Sequence, residues 1–194
     1  MQSFTSLDEI AVPLLEANIN TDQLLPSRYL RKQRADGFGQ YLFRDLRFQD
    51  EVQERTDFIL NQVPYRRAKI IVASTNFGCG SSREMAVWAV ADYGFRVLIA
   101  PRFADIFFNN CFKNGLLPIV LPQEVVHDLQ QFLLQRPGST LHVDLFAQEV
   151  KSEDGQRYKF DIHPFNKKCL LQGIDAIDYT LQLVEKIEAY ERRT

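Results

Sequence analysis

Lys69-Ile70-Ile71-Val72-Ala73-Ser74 runs directly into Thr75-Asn76-Phe77-Gly78-Cys79-Gly80-Ser81-Ser82-Arg83-Glu84, and the fold is decided at that junction. The first six residues form a short β-branched run of the kind buried on both faces of a parallel sheet. A glycine-rich turn follows, and Arg83 to Tyr93 reads as a largely apolar helix stopped by Gly94. Toward the C-terminus the alternation repeats. Arg96-Val97-Leu98-Ile99-Ala100 is a second buried strand, Phe103 to Lys113 a second helix stopped by Gly115, and Leu116 to Leu121 a third strand before Pro122. The pattern is βαβαβ, an α/β arrangement that places binding loops at the carboxyl ends of the strands.

Upstream, to about Gln62, short apolar stretches (Ile10 to Leu15, Leu24 to Leu30) are separated by Asn18-Ile19-Asn20-Thr21-Asp22 and by the basic, glycine-flanked stretch Arg28 to Gly39. This section reads as strands and long loops, and loops of that length in a compact domain are usually functional or mobile. Downstream, Val125, Val126, Leu129, Phe132 and Leu133 mark an amphipathic helix that ends at Pro137-Gly138. Leu141 to Leu145 and Arg157 to Ile162 alternate and bracket Glu153-Asp154-Gly155, which predicts a meander or hairpin. A final helix carries Ile174, Ile177, Leu181, Val184 and Ile187 at helical spacing, the expected signature of a core-facing stripe.

The chain has 194 residues, 45% hydrophobic and 25% charged, with 9 Gly and 8 Pro, which suits one domain or at most two small ones and excludes a disordered or collagen-like protein. A net charge of −2 supplies no general cationic field, so neither nucleic acid nor an anionic membrane is an expected partner. The N-terminus lacks a basic region followed by an apolar stretch, and the longest apolar runs, such as Met85 to Ala91, are too short to span a bilayer. A cytoplasmic location is the expectation. Cys79, Cys111 and Cys169 are dispersed with no CxxC pair, as are His127, His142 and His163. They provide neither a disulfide framework nor a complete metal site, so any metal chemistry requires another chain to hold the metal.

The glycine turn carries the chemistry. Gly78 and Gly80 permit a tight turn, Ser81 and Ser82 are expected at N-cap positions where free N–H groups favour an anion, and Arg83 adds a planar fork for a carboxylate or phosphate. The alternative is a glycine turn with an ordinary serine N-cap. A phosphate loop is excluded because its spacing and lysine are absent; a dinucleotide fingerprint lacks its third glycine, which would fall at Arg83. A Gly-x-Ser-x-Gly nucleophile elbow is not present either. What remains is a serine in an anion-stabilising turn beside an arginine.

Asn76-Phe77-Gly78-Cys79-Gly80-Ser81-Ser82-Arg83-Glu84 resembles the signature of the swivelling domain of the aconitase superfamily, most closely the small-subunit family of bacterial 3-isopropylmalate dehydratases. Asn20-Thr21-Asp22-Gln23-Leu24-Leu25-Pro26, Gly37-Phe38-Gly39, Asp57 to Asn61, Asp92 to Phe95, Ala104 to Phe107 and Leu116-Leu117-Pro118 resemble further family segments in family order, so the likeness covers nearly the whole chain. The sequence departs from the pattern at Met85, where histidine is usual, at Val87 for a common proline, and at Asn20 for a common aspartate.

The resemblance implies a single swivelling β/β/α domain over residues 1–194, built around the central βαβαβ unit. It implies a hydro-lyase of leucine biosynthesis that isomerises 2-isopropylmalate and 3-isopropylmalate through a dehydrated alkene. It also implies a large subunit as partner, carrying a 4Fe–4S cluster that this chain does not bind. By the same resemblance Ser81 matches the serine that acts as base, while Ser82 and Arg83 match substrate-binding positions. Asp22 matches an acidic active-site position; the alternative is an Asx turn leading into Leu24. Arg28 and Arg31 lie in a region that, in the family, is a mobile loop helping to choose among substrates; the alternative is a solvated basic loop. Related small subunits acting on homoaconitate, citraconate or dimethylmalate keep the same core, and a non-catalytic anion-binding domain of the same fold is a third reading.

Overall fold

The computed structural model describes residues 1–192. β1 (Ser6–Leu14) changes partner along its length. Ser6 to Ile10 pair antiparallel with β5 (Thr140–Asp144), and Ala11 to Leu14 pair parallel with β2 (Ile70–Ala73). Pro13 is tolerated here because the β5 pairing has already ended at Ile10, so its missing N–H leaves no ladder bond unmade on that side. β3 (Val97–Ala100) and β4 (Leu117–Val120) complete the parallel half, and β6 (Glu149–Ser152) and β7 (Arg157–Lys159) complete the antiparallel half. One seven-stranded sheet results, in the order β4-β3-β2-β1-β5-β6-β7.

All four residues of β2 are buried, as are all four of β3, because both faces of the sheet are covered. On one face Ile71, Ala73, Leu98 and Ala100 pack with Ala86, Val87 and Val90 of α3 (Glu84–Tyr93) and with Phe107 and Cys111 of α4 (Asp105–Lys113). On the other, Ile70, Val72, Val97 and Ile99 pack with Val126, Leu129 and Leu133 of α5 (Gln123–Gln135) and with Leu170 of α6 (Pro164–Gln172). Each Val, Leu or Ile among them contributes about 1.5–3 kcal/mol over leaving it in water. The period-two alternation of β2 and β3 thus divides one apolar run between two cores. The buried Gln130 of α5 donates to Leu14 O at 3.0 Å and Val72 O at 3.2 Å, tying that helix to the carboxyl ends of β1 and β2, where the site is built.

The expected βαβαβ unit is β2-α3-β3-α4-β4, with Gly94 and Gly115 in left-handed conformations just beyond their helices. The meander is β5-β6-β7. β6 is a strand the sequence reading passes over, because only four residues alternate before the Asp154-Gly155 turn.

Three local expectations are corrected. Leu24 to Leu30 forms no strand: Leu24 ends one helical turn and Ser27–Tyr29 forms another, with Leu25-Pro26 between them. Asn20 caps α1 (Thr21–Leu24) by accepting the Gln23 N–H, and Gln23 accepts the Asn20 N–H in return; Ser27–Tyr29 then forms a 3-10 turn. The C-terminal helix is two helices, α7 (Ala176–Leu181) and α8 (Val184–Glu191), and its stripe does not face the core. Ile177 is 71% exposed and Leu181 60%, with Val184 and Ile187 also exposed, because the sheet faces are already covered by α3 to α6. Finally, α3 begins at Glu84 with Arg83 as its N-cap, so Ser81 and Ser82 precede the cap instead of forming it.

The long first section is not a set of empty loops. α2 (Arg44–Arg47) and several 3-10 turns bury Phe38, Leu42, Phe43, Leu60 and Tyr65 in the core beneath α3. Gly39 is required there by contact, since a Cβ would lie 2.5 Å from the backbone carbonyl carbon of Asp92.

Candidate active site

Loops from the carboxyl ends of three parallel strands meet in front of α3. Asn18 donates to Thr75 O at 3.0 Å, Gly78 to Ile19 O at 2.8 Å and Thr21 to Cys79 O at 2.8 Å, so the loop after β1 is zipped to the glycine turn after β2. On the far side Phe77 donates to Arg102 O and Ala104 to Phe77 O, joining the turn to the segment after β3. The sheet therefore continues past its strand ends as paired loops, and a flexible-looking sequence is held in register. Gly78 makes this possible: its φ is +76° and a Cβ would stand 2.2 Å from Cγ of Phe107.

That pairing delivers Thr21 to Ser81. Ser81 Oγ lies 2.7 Å from Thr21 Oγ1, and the Ser81 N–H donates to the same Thr21 oxygen at 3.1 Å. Thr21 is completely buried, whereas Ser81 is half-buried and reachable. Because Thr21 Oγ1 already accepts one N–H, its own hydrogen is free to donate to Ser81 Oγ. Ser81 is thus drawn into the Thr21 contact and away from the first turn of α3, which is why the expected serine N-cap does not form.

A second contact joins the residue after Thr21 to the residue two positions after Ser81. Arg83 Nη1 is 2.5 Å from Asp22 Oδ1, with the Asp22 side chain 56% exposed and that of Arg83 27%. The Asx-turn alternative for Asp22 is closed, since Asn20 is the capping residue. Asn20 also accounts for one departure from the family signature: asparagine and aspartate cap equally well. Ser82 is exposed beside this pair. Ser81, Ser82, Arg83 and Asp22 are therefore brought together at one end of the sheet.

Arg28 and Arg31 are placed differently. Arg28 is ion-paired with Asp45 of α2, with Nη1 to Oδ2 at 2.9 Å, and lies over the ring of Tyr29, itself stacked on Tyr41. This pairing raises the Arg28 pKa above its ordinary value and lowers that of Asp45. Arg31 is exposed and makes no side-chain hydrogen bond or ion pair among the described residues.

Thr21 is the site residue that sequence reasoning missed. Its signal was present, a hydroxyl next to Asp22 inside Asn20-Thr21-Asp22, but nothing along the chain shows that it faces Ser81. Glu84 is held by Asn114, whose Nδ2 donates to Glu84 Oε1 at 2.8 Å. Cys79 donates to Asn18 O at 3.3 Å as part of the turn, and Cys111 and Cys169 are buried packing residues. Among the described residues no three His, Cys, Asp or Glu side chains converge to hold a metal ion, and no helix is long and apolar enough to cross a membrane.

The Aconitase C-terminal domain family matches residues 1–124, and the LeuD_N family matches residues 128–164. The chain is 51% identical over 193 residues to the 3-isopropylmalate dehydratase small subunit of Rhodospirillum centenum, covering 100% of this chain and 95% of that one. The chain belongs to the 3-isopropylmalate dehydratase small-subunit family. Another member of this small-subunit family, from Roseobacter denitrificans, is 47% identical, with 99% of this chain and 96% of the relative covered. A crystal structure of a 3-isopropylmalate dehydratase (leuD) from Methanocaldococcus jannaschii superposes with a TM-score of 0.67 at 25% identity, covering 96% of this chain and 99% of that one. Within the small-subunit family the Ser81 turn and the Asp22 loop both fall inside the region matched by the Aconitase C-terminal domain.

Proposed function

We infer that this chain is the small subunit of a 3-isopropylmalate dehydratase, a hydro-lyase of leucine biosynthesis that works with a large subunit. The observation that carries the site reading is the convergence of Ser81, bonded to Thr21, with the Asp22–Arg83 pair at the carboxyl end of the parallel strands. The reaction is proposed to interconvert 2-isopropylmalate and 3-isopropylmalate by loss and re-addition of water through 2-isopropylmaleate.

Ser81 is assigned as the base. Its deprotonated oxygen takes the proton from the carbon next to a substrate carboxylate and hydroxide leaves the adjacent carbon to give the alkene; that hydroxide and the proton now on Ser81 together make up the one water lost. Re-addition with the opposite orientation gives the isomer. A serine hydroxyl is a weak acid, so its deprotonated form needs donors aimed at the oxygen. Thr21 Oγ–H is one. Arg83 and Ser82 are assigned to the substrate carboxylates, with Asp22 fixing the Arg83 fork in place. Arg31, and Arg28 where it is released from Asp45, are assigned to substrate selection.

The three cysteines of this chain are too dispersed to ligate a 4Fe–4S cluster, and two of them, Cys111 and Cys169, are buried. We place that cluster in the large subunit. Residues 1–194 are proposed to act as one swivelling unit over it, in the cytoplasm, with a small dicarboxylate as ligand and without nucleic acid or membrane.

The test mixes this chain with a cluster-loaded large subunit under anaerobic conditions and assays 2-isopropylmalate, homoaconitate and citraconate. Preferential turnover of 2-isopropylmalate is expected. Faster turnover of another acid would assign the chain to a related hydro-lyase, and no turnover of any would leave a non-catalytic anion-binding domain.

A further inference from the structure

The basic loop between α1 and α2 is fastened at both ends. At its start Arg28 holds Asp45. At its far end the Arg34 guanidinium carbon lies 4.5 Å from the centroid of the Trp88 ring, and Arg34 Nη1 donates to Asn114 Oδ1 at 3.2 Å. Asn114 donates in turn to Glu84 at 2.8 Å. Glu84 is the first residue of α3, directly after Arg83, and Trp88 stands one helical turn further along the same side of that helix. One arginine therefore grips α3 at two points, over a ring and through an amide. Phe38 reinforces the contact, meeting Trp88 edge-on at 5.7 Å while its N–H donates to Asp92 Oδ2 at 2.9 Å. Arg31 and Lys32, between the two fastenings, are exposed.

We propose that Arg34 is a positioning residue: its clasp on Trp88 and Asn114 holds the basic loop against the helix capped by Arg83, and thereby sets how tightly the dicarboxylate is bound. The substrate half of this statement rests on the functional reading given above. Arginine suits the role because a planar guanidinium stacks on indole and donates sideways at the same time, which a lysine ammonium does not.

Two readouts separate the clasp from the chemistry. Amide hydrogen exchange of residues 28–38 in the full chain reports the clasp without any partner, and steady-state kinetics with the large subunit report its consequence. R34A is expected to speed exchange across the loop about tenfold, the combined loss of one cation–π contact and one hydrogen bond. N114A, which leaves every loop residue intact, is expected to move exchange in the same direction, and R34K to fall between wild type and R34A. In the complex R34A is expected to raise KM about tenfold while kcat stays within about threefold, the pattern of lost binding rather than lost chemistry. Unchanged loop exchange in R34A would overturn the clasp. Faster exchange with unchanged KM would overturn its link to substrate. Absence of turnover in the wild-type complex would remove the functional reading and the substrate half together, and exchange would still decide the clasp.

Discussion

Thr21 Oγ1 and Ser81 Oγ lie 2.7 Å apart across 60 positions of sequence, and Thr21 is wholly buried while Ser81 opens toward solvent. A buried hydroxyl that accepts the Ser81 N–H and shares a hydrogen bond with the Ser81 oxygen fixes that oxygen in one place. Removing it with a side chain of the same shape isolates the effect. Thr21→Val is expected to lower kcat about 100-fold, the loss associated with one donor to a developing oxyanion, whereas Thr21→Ser retains most of it. Equal kcat for Thr21→Val and wild type would remove Thr21 from the mechanism.

Ser81→Ala is expected to abolish turnover while leaving assembly with the large subunit intact, measured by co-elution on size-exclusion chromatography. The substitution removes the base but no buried contact other than the Thr21 hydroxyl. Retained activity would mean that another group takes the proton.

Arg83→Lys keeps the charge but loses the fork that meets a carboxylate through two parallel donors. KM is expected to rise about tenfold or more with a smaller change in kcat. Asp22→Asn acts on the same pair from the other side, freeing the Arg83 guanidinium. A KM unaffected by either substitution would separate the pair from substrate binding.

Gly78→Ala places a methyl group inside the Phe107 ring and forces a left-handed backbone on alanine. The expected destabilisation is about 2 kcal/mol or more, seen as a lower denaturant midpoint at unchanged slope. Because Gly78 also donates to Ile19 O, the paired loops are expected to loosen first. Wild-type stability in this variant would show that the Phe107 ring yields at little cost.

Acid is expected to loosen the first section of the chain. Arg28 lowers the Asp45 pKa and Arg66 lowers that of Glu54, so both carboxylates hold fewer protons in the folded protein than in the unfolded chain near their pKa values. Their contribution is therefore present above the unfolded carboxylate range, about pH 4, and is lost as pH falls through the depressed folded values. Exchange protection across residues 44–66, relative to the intrinsic exchange rate at each pH, is expected to fall as pH drops below about 4, and Asp45→Asn is expected to flatten part of the response. An identical pH profile in the variant would show that the Arg28–Asp45 pair contributes nothing there.

The βαβαβ unit was legible because β2, β3 and their helices are contiguous, strongly patterned segments whose signals need no knowledge of distant residues. The glycine turn that carries Ser81 and Arg83 between β2 and α3 was legible for the same reason. The C-terminal stripe misled because helical spacing of Ile177, Leu181, Val184 and Ile187 states that one side is apolar and not what covers it; both sheet faces were already taken. Leu24 to Leu30 misled because its apolar content outweighed the cap formed by Asn20 and Gln23.

Residue order alone established an α/β chain with a serine-arginine turn at a strand end and cysteines too dispersed to hold a cluster. It could not place Thr21 against Ser81, Asp22 against Arg83, or Arg34 on Trp88, because each contact joins a segment that follows β1 to one that follows β2, and their proximity depends on β1 and β2 lying side by side. Strand pairing is a long-range choice made by burial of the whole sheet, and only that choice turns separate motifs into a site.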